Sequence, residues 1–204
     1  DVYCFTMPLL TKKDGTKFGN SEGGAIWLDK EKTTPYELYQ FLLNAEDEKV
    51  IDYLKFLTFL SVDEINDLEQ SLINEPEKRL AQKVLAREVV TYIHGDEAYQ
   101  EALNITNSLF SGDVSNLSAT EIKMAFKGLK AYNLSSDKLL VDVLVDSLIC
   151  KSKREAREFI TNGSISINGN RVSDLDFVLT KENAIASKYI IIRRGKKKYY
   201  IVEF

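Results

Sequence analysis

The chain has 204 residues, of which 44% are hydrophobic and 28% charged, a balance typical of a folded globular protein rather than a disordered one. The sequence contains no apolar run of about 18 residues and no leader-like segment, so it predicts neither a membrane span nor a secretory signal. The formal net charge is −4, but residues 135–204 hold 13 Lys and Arg against 9 Asp and Glu, while the remainder holds 14 against 22. This asymmetry predicts a basic, polyanion-binding module toward the carboxyl end.

The cysteines indicate a cellular location, and the first residues indicate that the chain is part of a longer protein. Cys4 and Cys150 are far apart and have no metal-ligand spacing, which favours a reducing, cytoplasmic location over a disulfide scaffold. The run Asp1–Met7 is typical of the interior of a sheet rather than of a natural start. We therefore expect the chain to be part of a longer protein.

The first notable element is the glycine-rich segment Asp14–Asp29, with the sequence DGTKFGNSEGGAIWLD. Its glycines allow close approach to a bulky ligand, Lys17 supplies a cation, and Ser21 supplies a hydroxyl group, a mixture that suits a polyphosphate. The segment does not fit the Walker pattern, which requires Gly-Lys-Ser/Thr directly after a strand. From composition alone, an ordinary flexible loop is the alternative interpretation.

The same segment resembles a known signature. Lys17–Ser21 followed by Glu22–Asp29 is similar to the second motif of class I aminoacyl-tRNA synthetases, usually written KMSKS. The form KFGNSEGGAIWLD most resembles that of bacterial tyrosyl-tRNA synthetases, and the flanking runs 7–16 and 32–41 fit the same family. The resemblance extends over nearly the whole chain.

This resemblance implies roles for the loop. Lys17 and Ser21 would be catalytic residues on the ATP phosphates, and the nucleotide-binding set would be Lys17, Gly19, Asn20 and Ser21. The parent enzyme would use ATP with Mg²⁺ to activate tyrosine and would transfer it to tRNA(Tyr). Asn20 stands where most members carry a second lysine, and because an amide brings no charge, Lys17 would be the main cation of the loop.

Residues 34–111 predict an all-helical bundle of about five helices. Along the whole chain, Ser or Thr followed three residues later by Glu marks four helix starts, two of them in this bundle. The four pairs are Thr34/Glu37, Ser61/Glu64, Ser118/Glu121 and Ser152/Glu155. Pro35 and Pro76 are each expected at a first helical position. The stripe of Leu80, Val84, Leu85, Val89 and Ile93 predicts a long helix that ends at Gly95, and Asp96 begins another that ends at Gly112.

The remaining residues change character. Residues 112–134 are interpreted as a mobile linker with a short helix after Ser118 and a break at Gly128. From 135 to 204 the patterns predict two helices, the first with Leu139, Leu140, Val143, Leu144 and Leu148 inward. They then predict a hairpin with Asn168-Gly169 as its turn, and two β-rich runs around a basic tip at 193–198.

That carboxyl-terminal pattern resembles the small RNA-binding domain of ribosomal small-subunit protein four, which also ends bacterial tyrosyl-tRNA synthetases. The basic residues and the start of the second helix predict an RNA-binding surface. Its predicted members are Ser152, Lys153, Arg154, Arg157, Arg193, Arg194, Lys196, Lys197 and Lys198. A merely solvated basic face is the alternative for each patch by itself.

The predicted fold class is therefore α+β: a helical bundle of anticodon-binding type, then the small α/β RNA-binding domain, with the Rossmann-type catalytic fold largely missing. The predicted domains are 1–33 (tail of the catalytic domain), 34–111 (anticodon-binding), 112–134 (linker) and 135–204 (RNA-binding). His94 is the one histidine, and its position at a predicted helix end favours a structural role. No metal site is predicted.

Three functional hypotheses remain open on sequence alone. The leading hypothesis is the carboxyl-terminal half of a tyrosine–tRNA ligase, inactive by itself; the parent would be a homodimer and the fragment a monomer. The second is a non-enzymatic RNA-binding protein acting on ribosomal or structured RNA, which would have no need of the Lys17 loop. The third is a purely structural or regulatory helical protein with an incidental basic hairpin.

Overall fold

The computed structural model describes residues 2–6, 8–21, 24–196 and 198–204. It is an α+β structure of two compact units, 1–102 and 103–204, and the division falls inside a helix. The predicted boundary at 111/112 lies nine residues further along, at the end of that same helix.

The first unit consists of short hairpins followed by packed helices. Strands β1 (Asn20–Ser21) and β2 (Gly24–Ala25) form an antiparallel pair. The helices are α1 (Pro35–Leu43), α2 (Asp47–Leu57), α3 (Val62–Asn74), α4 (Leu80–His94) and the start of α5 (Asp96–Ser111). Helix α4 packs against α1, α2 and α3, which explains why its small and apolar side chains Ala81, Leu85, Ala86 and Val90 are fully buried.

The capping predictions are confirmed at three helices and half confirmed at the fourth. Thr34/Glu37, Ser61/Glu64 and Ser118/Glu121 each form the reciprocal pair of hydrogen bonds. At Ser152 only the serine accepts, from the Glu155 N–H at 3.2 Å. The Glu155 carboxylate instead accepts from the Lys151 N–H at 2.6 Å.

The prediction that Pro76 begins the long helix is wrong. Pro76 opens a single 3₁₀ turn, Pro76–Lys78, and α4 starts after Arg79, whose φ of 49° is left-handed. Tertiary bonds hold that conformation, because the Arg79 guanidinium donates to the carbonyl oxygens of Leu43 at 3.0 Å and Ala45 at 2.9 Å. These bonds give hydrogen-bond donors to two carbonyl oxygens where the chain passes from α1 to α2. Because Arg79 and its acceptors are far apart in sequence, no local pattern predicts the bonds.

The second unit is a mixed sheet between two helical layers. Its main sheet has the order β3 (Tyr132–Asn133), β9 (Lys198–Glu203), β8 (Tyr189–Arg194), β5 (Ile165–Ile167) and β6 (Asn170–Arg171). Strands β4 (Lys138–Leu139) and β7 (Val178–Leu179) form a separate pair. Helices α7 (Leu140–Asp146) and α8 (Lys153–Thr161) contribute to one core with Ile165, Ile190 and Ile192.

Two inward positions predicted for the first of these helices are wrong. Leu139 lies in β4 and is 40% exposed, and Leu148 follows the helix with φ 60° and is 88% exposed. Helix α7 spans only seven residues, so the helical periodicity does not extend to either position. The hairpin prediction at Asn168-Gly169 is confirmed, since both residues have positive φ and Ile167 pairs with Asn170.

Residues 112–134 contribute one helix and one strand to the second unit. The predicted short helix after Ser118 is confirmed as α6 (Ala119–Ala125), and Tyr132 pairs in parallel with Val202 at the sheet edge. The segment buries Val114, Leu117, Ile122, Phe126 and Leu134. Ile122 and Phe126 lie beside Tyr189, Tyr199 and Ile201 of the sheet, and Leu134 joins the core formed with α7 and α8, so the segment is part of the second unit.

A glycine pair tests this docking. An added Cβ at Gly169 would lie 2.7 Å from the Gly112 carbonyl oxygen, whereas one at Gly128 would meet nothing within 4 Å, and their φ values are 90° and 85°. Both Ala substitutions incur left-handed strain of about 1–2 kcal/mol, but Gly169→Ala must also displace backbone. Urea unfolding should therefore show a larger loss of stability for Gly169→Ala than for Gly128→Ala. Equal losses would contradict the docking of residues 112–114 on this hairpin.

Candidate nucleotide loop and nucleic-acid interface

Lys17 stands at the end of a short hairpin. The Lys12 N–H donates to the Thr16 carbonyl at 2.8 Å, and the Phe18 N–H donates to the Leu10 carbonyl at 3.0 Å. At the turn, Asp14 accepts from the Thr16 hydroxyl at 2.6 Å and from its N–H at 2.9 Å, and these bonds lower the pKa of the Asp14 carboxyl. The hairpin therefore has a defined turn rather than a purely glycine-driven bend.

The predicted nucleotide-binding set spans this hairpin and the next. Lys17 is exposed, and among the described residues its side chain has no hydrogen-bond or ion-pair partner. Gly19 has a φ of 79°, and its carbonyl oxygen accepts from the Ile26 N–H at 2.9 Å. Asn20 and Ser21 form the backbone of β1, and their side chains lie outside the described part of the structure, as do Glu22 and Gly23.

A row of basic side chains crosses the sheet of the second unit. Ser166 of β5 lies directly opposite Arg171 of β6 on one side and Arg193 of β8 on the other. Directly opposed residues of antiparallel strands point to the same face of a sheet. Arg171 and Arg193 therefore share the face opposite α7 and α8.

These residues line a cleft of about 460 Å³. Neither Arg171, Arg193 nor Lys196 has a hydrogen-bond or ion-pair partner among the described residues, and the Nε of Arg193 is buried without an acceptor. Among the described residues, the lining includes three cations and no carboxylate, together with the 94% exposed ring of Phe110. These lining residues are Phe110, Asn162, Gly163, Ser164, Ser166, Arg171, Arg193, Gly195 and Lys196. An anion is the ligand that this charge balance favours.

Arg194 differs from its neighbour. Strand alternation sends its side chain to the α8 side of the sheet, where the guanidinium donates to the Ile149 carbonyl oxygen and lies 5.3 Å from the Phe159 ring centroid. The structure therefore gives Arg194 contacts that hold the sheet against Ile149 and against Phe159 of α8. Lys198 pairs directly with Arg194 and shares that face, while Lys197 lies outside the described residues.

Several groups at the start of α8 already have partners within the chain. Lys153 pairs with Asp142 at 2.6 Å, and this ion pair lowers the pKa of the Asp142 carboxyl. The Ser152 hydroxyl already accepts from the helix, and the Glu155 carboxylate adds negative charge there. Arg154 and Arg157 remain exposed three residues apart, so they project from neighbouring positions on one helix face.

Sequence reasoning did not assign Arg171 or Phe110 to the site. The two-residue turn at Asn168-Gly169 places Arg171 opposite Ser166, so the sequence could have predicted that pairing. The pairing of Ser166 with Arg193, 27 positions later, is seen only in the folded sheet.

The described residues offer little other site chemistry. His94 is the last residue of α4, and burial, with a contribution from Lys30, lowers its pKa, so it is neutral at pH 7. Within residues 2–6, 8–21, 24–196 and 198–204, no three His, Cys, Asp or Glu side chains gather closely enough to hold a metal ion. No helix in these ranges has the length and apolar character that crossing a membrane requires.

Comparison with known proteins covers both units. The family model "tRNA synthetases class I (W and Y)" matches residues 1–111, and the model "Tyrosine--tRNA ligase SYY-like C-terminal domain" matches residues 121–202. The chain belongs to the class I tRNA synthetases of this tryptophan and tyrosine group.

Similar curated proteins point the same way within this synthetase family. The tyrosine–tRNA ligase of Bacillus pumilus is 54% identical over 205 residues, and that of Geobacillus stearothermophilus is 52% identical over 204 residues. Each match covers 100% of this chain and 49% of the relative. The synthetase chain thus spans about half the length of the curated relatives it matches.

The contacts of Arg194 predict a stability effect in this synthetase chain. Arg194→Ala removes a charged hydrogen bond and a ring contact and should lower the free energy of unfolding by about 1.5–3 kcal/mol. Arg171→Ala removes an exposed side chain without a partner and should change it by less than about 0.5 kcal/mol. Urea denaturation of both variants makes the comparison, and equal losses would contradict the structural role of Arg194.

Proposed function

We propose that this chain is the carboxyl-terminal half of a tyrosine–tRNA ligase, which activates tyrosine with ATP and transfers it to tRNA(Tyr). The observation that carries the proposal is the match over the whole chain, at 52–54% identity, to proteins of that name. The three cations without carboxylate partners in one cleft support the RNA-binding part of the proposal, since counterion release on phosphate contact favours such a surface.

Each part of the chain receives a role. Residues 1–33 complete a catalytic domain whose Rossmann-type nucleotide fold lies in the other half of the enzyme. Helices α1–α5 form the anticodon-side domain, and the sheet unit resembles the small RNA-binding domain of ribosomal protein four. The parent pairs as a homodimer through the other half, so the isolated chain is a monomer, and its place is the cytoplasm.

Lys17 acts on the activation step. When the tyrosine carboxylate attacks the α-phosphorus, the bond from that phosphorus to the pyrophosphate oxygen breaks and negative charge builds on the leaving group. Bound ATP with Mg²⁺ supplies this leaving group. The Lys17 ammonium stabilises the developing charge, and the N–H groups and hydroxyl of the Gly19–Ser21 segment orient the phosphates. Because Asn20 brings no charge, Lys17 carries this stabilisation within the loop.

The RNA surface comprises the cleft and the outer face of α8. Arg171, Arg193 and Lys196 contact phosphates on one side, and Arg154 and Arg157 contact a second backbone segment. Lys153 pairs with Asp142, and Arg194 has contacts within the sheet unit. These two residues therefore contribute less to RNA binding than their charge suggests.

Removal of single cations tests the RNA surface. Arg171→Ala should weaken binding of this chain to tRNA(Tyr) and reduce the slope of log K against log salt by about 1. The double variant Arg154→Ala/Arg157→Ala should reduce it by about 2. Fluorescence titration between 50 and 200 mM KCl is the measurement.

Lys181→Ala is the matched control, because Lys181 is exposed in the same unit and does not line the cleft. Its salt slope should equal that of the unchanged chain. A salt slope for Arg171→Ala equal to that of the Lys181 control would remove the cleft from the RNA surface.

The ATP loop is tested in the full-length enzyme. Lys17→Ala should lower the rate of tyrosine-dependent ATP–pyrophosphate exchange by about 10²–10³-fold, the usual effect of losing one transition-state stabilising donor. Lys83→Ala, an exposed lysine on α4, should leave the rate unchanged. The 204-residue chain alone should show no exchange, and detectable exchange by it would contradict the proposed division of labour.

A further inference from the structure

We propose that the helical part of the first unit positions the ATP loop, with Phe41 and Tyr53 as positioning residues that act through Phe18. The inference rests on the proposed function of the loop. It concerns residues of α1 and α2, which the sequence did not assign to the nucleotide site.

Phe18 directly follows Lys17 and packs between two helices. Its ring centroid lies 5.1 Å from that of Phe41 in α1 and 4.3 Å from that of Tyr53 in α2, with interplanar angles of 55° and 47°. These tilted arrangements at short centroid distance are favourable for aromatic pairs. The backbone immediately beside Lys17 is thereby tied to both helices.

Tyr53 holds the opposite strand of the same hairpin. It is 2% exposed, and its hydroxyl donates to the Thr11 carbonyl oxygen at 3.0 Å. Thr11 in turn pairs with Lys17 across the hairpin. Burial raises the pKa of the Tyr53 hydroxyl, so the group remains a proton donor at neutral pH.

The start of α2 adds a third attachment. The Glu46 carboxylate accepts from the Lys13 N–H at 2.7 Å, and the Lys13 ammonium pairs with Glu48. The hairpin 10–18 therefore contacts the helices at its turn, at its first strand and at Phe18. The Lys17 side chain has no hydrogen-bond or ion-pair partner among the described residues, so these neighbours define its position.

The physical consequence is a lower entropic cost of loop closure. A backbone already confined beside Lys17 samples fewer conformations, so less freedom is lost when the loop orders around the phosphates. Loss of these contacts should then lower kcat/KM for ATP and leave KM for tyrosine unchanged.

Tyr53→Phe tests the attachment in this chain, because it removes one hydroxyl and leaves the hairpin sequence intact. Amide hydrogen exchange of Lys12 and Phe18 should become about fivefold faster, the change expected for one net hydrogen bond. Tyr99→Phe is the control, since the Tyr99 hydroxyl has no hydrogen-bond partner among the described residues. Equal exchange rates in the Tyr53 and Tyr99 variants would overturn the proposal.

The full-length enzyme tests the positioning role. Tyr53→Phe and Phe41→Ala should lower kcat/KM for ATP in pyrophosphate exchange about fivefold or more and leave KM for tyrosine unchanged, while Tyr99→Phe matches the parent. Faster amide exchange with unchanged ATP kinetics would overturn the positioning role alone. Absence of tyrosine-dependent exchange in the unmodified enzyme would overturn the proposed function, and this role with it.

Discussion

The two-residue alternation of strand β8 is the constraint on which the candidate RNA surface depends. Consecutive arginines in a strand cannot share a face, so Arg193 joins Arg171 at the cleft while Arg194 contacts Ile149 and Phe159 on the other side. One register therefore divides a run of like charges into a ligand-facing group and a structural group. A register shift of one residue would exchange them and place Ile192 in the cleft.

A second constraint is the way tertiary contacts fix irregular backbone in both units. Arg79 holds a left-handed turn with bonds to the carbonyl oxygens of Leu43 and Ala45, and the backbone of residues 112–114 lies against Gly169. In each case a segment without regular structure is immobilised by groups distant in sequence. The Lys17 hairpin is held in a similar way, since Phe18 packs against Phe41 and Tyr53 and the Thr11 carbonyl oxygen accepts from the Tyr53 hydroxyl.

Local signals predicted much of the fold. Capping residues, Gly95 as a helix stop and the Asn-Gly turn depend on hydrogen bonds within a few residues, so sequence alone locates them. The error at Pro76 and the absence of a predicted strand at Tyr132 share one cause, because Arg79 and the sheet edge at Val202 act across more than 30 positions. For the site, residue type identified the cations, but Asp142 and the strand register decided which of them remain available.

We propose that the sheet unit binds a structured RNA, while the loop at Lys17 contacts a nucleotide held by the other half of the enzyme. The most direct measurement is equilibrium binding of this chain to tRNA(Tyr) beside a tRNA for a different amino acid, at one fixed salt concentration. The account predicts binding at least about tenfold tighter to tRNA(Tyr), a difference of about 1.4 kcal/mol. Equal affinity for the two RNAs would contradict it.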